Sequence, residues 1–112
     1  MRLSALFALA LVLSACAPQA RSAPDPATLV PANAALANLY SSSCQACHAS
    51  PESGAPVVQD AAAWEARWKQ GEDVLLDHVI QGIGAMPPGG QCADCTIDDY
   101  KALTRFLAGK EK

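Results

Sequence analysis

Aromatic side chains are scarce in this sequence, with two Trp, two Tyr and two Phe among 112 residues. One of the six, Phe7, belongs to the apolar opening run, so the rest of the chain has little bulk for a core. A domain of this size lacks sufficient apolar mass unless a staple or a prosthetic group supplies it. A membrane span is also missing: the run from Leu3 to Leu13 is far shorter than the about 20 apolar residues a spanning helix needs. Cations are few, eight Lys and Arg against eleven Asp and Glu, for a formal charge of −3. That balance argues against nucleic acid as a partner, and no basic amphipathic stretch offers an electrostatic route to an anionic membrane. No acid, base or nucleophile constellation marks an enzyme or a small-molecule substrate. The C-terminus carries neither a prenylation motif nor a GPI signal.

The opening is informative. Met1-Arg2, the apolar run and the small residues Leu13-Ser14-Ala15 before Cys16 read as an export signal. Removing Met1 to Ala15 from 112 residues leaves 97, and losing Arg2 moves the formal charge from −3 to −4. The segment Leu13-Ser14-Ala15-Cys16 resembles the lipobox of bacterial lipoproteins, which implies a diacylglycerol on the sulfur of Cys16 at the mature N-terminus. Residues 16–32 then hold Pro18, Pro24, Pro26 and Pro31 among Ala, Ser and Gln, a composition that favours extended backbone and reads as a linker. The expected organisation is a signal over 1–15, a lipidated linker over 16–32 and a folded domain over 33–112. The expected location is the periplasm, anchored to a membrane. Ala17, rather than aspartate, after the anchor favours the outer membrane over the inner.

Leu36, Leu39, Tyr40 and Cys44 recur at helical spacing and predict a short helix leading into Cys44-Gln45-Ala46-Cys47-His48. This is C-x-x-C-H, the haem c attachment motif. Two thiols three positions apart lie on one turn and can add across the two vinyl groups of one haem, and the adjoining imidazole is a good iron ligand. A zinc site using Cys44, Cys47, Cys92 and Cys95 would separate its pairs far more widely than zinc ribbons do. A thioredoxin-like redox pair would need alternating β units, whereas helical periods run through this chain. The second axial position on iron points to Met86, in Gly84-Ala85-Met86-Pro87-Pro88-Gly89-Gly90, where two prolines and flanking glycines can hold a flexible thioether in place. Thioether ligation favours ferrous iron relative to a second imidazole. The only other methionine, Met1, leaves with the signal. His78 is the competitor, but it lies at the border of the apolar face of a helix predicted over Glu72 to Gln81, a position that suits a partly exposed residue.

With these blocks, together with Gly54-Ala55-Pro56, Asp60-Ala61-Ala62-Ala63-Trp64 and the second pair in Cys92-Ala93-Asp94-Cys95, the chain resembles the class I cytochromes c and within them the cytochrome c5 group, from about Ala34 to Ala108. The resemblance implies a disulfide between Cys92 and Cys95, a Pro56 carbonyl turned to the distal ring nitrogen of His48, and Trp64 near a haem propionate. It also implies an all-α fold of about four short helices around one covalently attached haem c. An oxidising compartment would keep the disulfide closed. Asp60, Glu72 with Asp73, and Thr96 with Asp99 are the expected helix starts. Ile97, Tyr100, Leu103 and Leu107 form the expected apolar stripe of the last helix, with Tyr40 and Phe106 as its contact with the first.

The cofactor set is thus Cys44, Cys47, His48, Met86, Pro56 and Trp64, with His48 and Met86 on the metal. Two protein ligands leave no open iron position, so the expected function is one-electron transfer in a bacterial respiratory chain and not catalysis. The partners are donor and acceptor redox proteins, met by a monomer. The alternatives are a haem subunit serving an oxidoreductase complex, or a sensor or peroxidase in which Met86 is labile.

Overall fold

The structure is a computed structural model and describes residues 22–111. The signal segment, Cys16 and the first part of the linker lie outside the described residues. Among the described residues there is no strand, and the one β-type pairing is an isolated bridge between Ile83 and Met86.

Asn33 opens the first helix, α1 (Ala34–Leu39), by accepting a hydrogen bond from the Leu36 N–H at 3.1 Å. The chain then widens into a π-type turn over Tyr40–Cys44 before α2 (Gln45–His48). The cause is local. Ser42 and Ser43 both turn their hydroxyls to the Leu39 carbonyl, and the Gln45 N–H reaches back five residues to the Tyr40 carbonyl. The extra residue rotates the attachment motif by about 100° relative to α1.

α3 (Ala61–Trp68) starts at Asp60, whose carboxylate accepts from the Ala62 and Ala63 N–H groups at 3.0 and 3.3 Å. α4 (Glu72–Gln81) begins with two acids at its positive end and stops at Gly82. α5 (Ile97–Leu107) opens with a full capping box in which Thr96 and Asp99 satisfy each other's backbone N–H.

The core is small. Tyr40, Val58, Trp64, Leu103, Phe106, Leu107 and Ala108 are buried together, with Leu36, Leu39 and Trp68 against them. Tyr40 meets Phe106 edge to face, ring centroids 5.0 Å apart, and fixes the contact of the first helical run with α5. Glu72 and Arg105 tie α4 to α5: one carboxylate oxygen accepts from the guanidinium at 3.0 Å, and the other sits 2.6 Å from Nε, off the axis of a hydrogen bond.

Two expectations need correction. The folded part begins before Asn33, because Asp25 caps a 3₁₀ turn over Pro26–Thr28, Leu29 packs on the core and Pro31 is buried. Proline at the first position of a capped turn builds structure where composition alone suggests a free tether. Ile97 is 50% exposed, because it opens α5 at the surface while Thr104 and Phe106 join Leu103 and Leu107 in the buried face.

Candidate functional site

The attachment motif ends in a buried imidazole. His48 is 7% exposed, and its Nδ1 lies 2.8 Å from the Pro56 carbonyl oxygen. A carbonyl only accepts, so Nδ1 carries the proton and donates, leaving Nε2 with its lone pair for a metal. Burial pushes the imidazole below its ordinary pKa, with the nearby Arg67 charge acting the same way and the Pro56 carbonyl opposing them. The ring is therefore neutral at neutral pH, the form that ligates.

The loop from Ser50 to Val58 holds Pro56 in place. The Ser53 hydroxyl donates to the Cys47 carbonyl at 2.6 Å and accepts from the Ala55 N–H, and the Val58 N–H donates to the His48 carbonyl at 2.8 Å. Sequence pattern does not flag Ser53; a serine two residues before Ala55-Pro56 is the signal that could have found it. Trp64 lies beside the imidazole, 6.0 Å between ring centroids, and its indole N–H donates to the Val57 carbonyl at 2.7 Å. Its polar handle is thus engaged with the backbone of the same loop.

Cys44 and Cys47 are both free thiols, Cys44 half-buried and Cys47 exposed. Burial raises the Cys44 thiol above its usual pKa, opposed by a hydrogen bond with Ser43. The Tyr40 hydroxyl, pushed up to about 12 by burial and by the neighbouring Cys44, has no hydrogen-bond partner among the described residues. Cys92 and Cys95 are joined in a disulfide with their Cα atoms 5.5 Å apart. The four cysteines thus divide into a closed pair and an open pair. Among the described residues no three His, Cys, Asp or Glu side chains converge on a common point, so the four-cysteine zinc arrangement is not formed.

Met86 is half-buried in the loop after α4. Ile83 and Met86 exchange backbone hydrogen bonds at 3.1 and 2.9 Å, closing the loop on itself. A Cβ at Gly82 would lie 2.7 Å from the Met86 carbonyl oxygen and 3.0 Å from the Pro88 nitrogen, so only glycine admits this approach. At Gly89 a Cβ would lie 2.6 Å from the Tyr100 hydroxyl, which donates to the Cys92 carbonyl at 2.9 Å. Tyr100 therefore struts the ligand loop and the disulfide together, a role its place in an apolar stripe did not reveal. The Pro88–Gln91 turn packs against both α4 and the Tyr40–Cys44 turn, which brings the methionine loop and the attachment motif to one side of the fold. His78 is half-buried on α4.

This donor set fits haem c: two uncommitted thiols on one helical turn, a buried imidazole presenting only Nε2, and a thioether in a loop packed onto the same turn. The comparisons with known proteins agree. The family model for cytochrome C oxidase, cbb3-type, subunit III matches residues 31–107. Cytochrome c5 of Azotobacter vinelandii is 46% identical over 68 residues, covering 59% of this chain and 82% of the relative. Cytochrome c5 of Ectopseudomonas mendocina is 43% identical over 68 residues, covering 59% and 78%. Cytochrome c-555 of Chlorobaculum tepidum is 35% identical over 77 residues, covering 65% and 71%. Among solved structures, one chain from a crystal structure of an electron transfer complex of nitrite reductase with cytochrome c shares 36% identity at a TM-score of 0.62, covering 71% of this chain and 98% of that one.

Proposed function

The chain belongs to the class I c-type cytochromes, of the cytochrome c5 kind, and we propose that it serves a bacterial respiratory chain as a carrier tethered to a membrane on the periplasmic side through a lipid on Cys16. It is a small electron-transfer protein and not an enzyme, and its family carries covalently attached haem c, typically one per chain.

When bound, haem c supplies an iron that passes between ferrous and ferric states. The chain's own residues do the rest. Cys44 and Cys47 would hold the porphyrin edge through thioethers. His48 would ligate through Nε2, aimed by the Pro56 carbonyl on Nδ1, and a hydrogen bond at that position strengthens the ligand's basicity. Met86 would offer its thioether as a second protein ligand to the iron from a loop braced by Pro87, Pro88 and Tyr100. The preorganised loop limits rearrangement of this ligand when the charge changes, and two protein ligands leave no place for oxygen, peroxide or substrate.

The observation that carries this reading is the buried His48, with Nδ1 committed at 2.8 Å, directly after two uncommitted thiols. Spectra of purified holoprotein in both oxidation states test it: low-spin haem c in both, a far-red methionine band in the ferric form and slow carbon monoxide binding are expected. High-spin iron in both states would overturn it. The tether is tested separately. Cys16→Ala should move the holoprotein from the membrane fraction to the soluble periplasmic fraction with unchanged spectra, and a variant still sedimenting with membranes would refute lipid anchoring.

A further inference from the structure

Between Gln70 and Tyr100 the chain carries six carboxylates and no Lys or Arg. Glu72 is paired with Arg105 and Asp99 is taken up in the α5 capping box. Asp73, Asp77, Asp94 and Asp98 stay exposed and form no ion pair among the described residues. Within the same stretch a shallow groove of about 190 Å³, more apolar than polar, is lined by Pro88, Gln91, Cys92 and Ala93. Ile97, half exposed, follows Cys95 by two residues, so its Cα lies within about 7 Å of the disulfide. Asp94 lies between the two bridged cysteines, and Asp98 adjoins Ile97.

The groove, the exposed isoleucine and the two aspartates thus lie close together around the disulfide that follows the Met86 loop. The face is stiff, because Pro87 and Pro88, the disulfide and the Tyr100 hydroxyl on the Cys92 carbonyl all restrain it. Apolar surface at the centre with charge of one sign at the rim is the pattern of an association surface, and unpaired carboxylates at the rim select a partner of the opposite sign. We propose that this face is where the carrier docks, and that its partner is a redox protein presenting an apolar contact ringed by Lys and Arg. The inference rests on the electron-carrier reading and adds to it the location and charge of the contact.

The test uses holoprotein and two reagents of known shape. Tris(1,10-phenanthroline)cobalt(III) is cationic with apolar faces; hexaammineruthenium(II) is cationic without them. The cobalt complex takes one electron from the ferrous protein and becomes cobalt(II), and the ruthenium complex gives one electron to the ferric protein and becomes ruthenium(III). At about 0.1 M ionic strength, where screening acts over about 10 Å, the double variant Asp94→Lys, Asp98→Lys should slow the cobalt reaction about fivefold. The double variant Glu65→Lys, Glu111→Lys changes net charge equally but lies outside this face, and should leave the rate within a factor of two. Ile97→Ser should slow the cobalt reagent and not the ruthenium one. Equal slowing by both double variants, or by neither, would overturn the docking face. Wild-type holoprotein that exchanged no electron with either reagent would instead overturn the carrier reading.

Discussion

Gly71 and Gly82 bracket α4 with nearly the same backbone, φ 107° and ψ 146° at one end and φ 82° and ψ 155° at the other. Both lie close to a region that only glycine populates readily, so alanine at either position costs on the order of 1–3 kcal/mol in backbone strain. Their surroundings differ. A Cβ at Gly71 meets nothing within 4 Å, whereas one at Gly82 meets the Met86 carbonyl at 2.7 Å and two further backbone atoms of the methionine loop within 3.2 Å. Backbone cannot rotate aside as a side-chain tip can, so Gly82→Ala must displace the loop. Gly71→Ala should therefore lower the denaturation midpoint while the far-red band of ferric holoprotein persists. Gly82→Ala should cost at least as much stability and also weaken or abolish the band, with a lowered reduction potential as the thioether is lost. Denaturant titration and ferric absorption spectra of the two variants separate strain from collision. A Gly82→Ala protein with an undiminished band would refute the argument that this glycine seats Met86.

The capping box makes stability depend on acid pH: the Thr96 N–H and hydroxyl hold the Asp99 carboxyl below its ordinary pKa near 4. Its contribution is present above that value and lost as pH falls through the lower folded one, so Asp99→Asn should melt earlier than wild type at pH 7, with the gap closing in acid. Leu29→Ala removes the side chain that seats the segment before α1 and should accelerate limited proteolysis between residues 25 and 32 without altering the haem spectrum. Apoprotein, with a core of about nine buried apolar residues, should show little cooperative melting by circular dichroism, and a sharp transition would contradict the view that the porphyrin completes the core.

The parts of this molecule that sequence makes legible are those set by neighbours along the chain. Cys44, Cys47 and His48 are adjacent by covalent spacing and need no tertiary contact to be read together, while Asp60, Thr96 and Asp99 act within one helical turn, where pattern and structure agree. The π-type turn escaped notice because it depends on Ser42 and Ser43 competing for one carbonyl, a contest that hydrophobic periodicity does not register. Ile97 misled because a stripe drawn at helical spacing extends to the very end of α5, beyond the region its partners cover. Tyr100 and Gly89 meet across eleven residues and a disulfide, so their contact is visible only in three dimensions.

The packed segment before α1 also changes the mechanics of any anchor at Cys16. The Gln45 side chain, inside the attachment motif, donates to the Ala27 carbonyl at 3.2 Å, so the chain comes away from the body next to the haem-bearing helix. Were Cys16 lipidated as we propose, residues 17–24 would reach at most about 28 Å from anchor to packed segment, against about 55 Å for 17–32. A span that short, ending that near the redox centre, would confine the carrier to a shallow layer above the lipid and limit which way it could face.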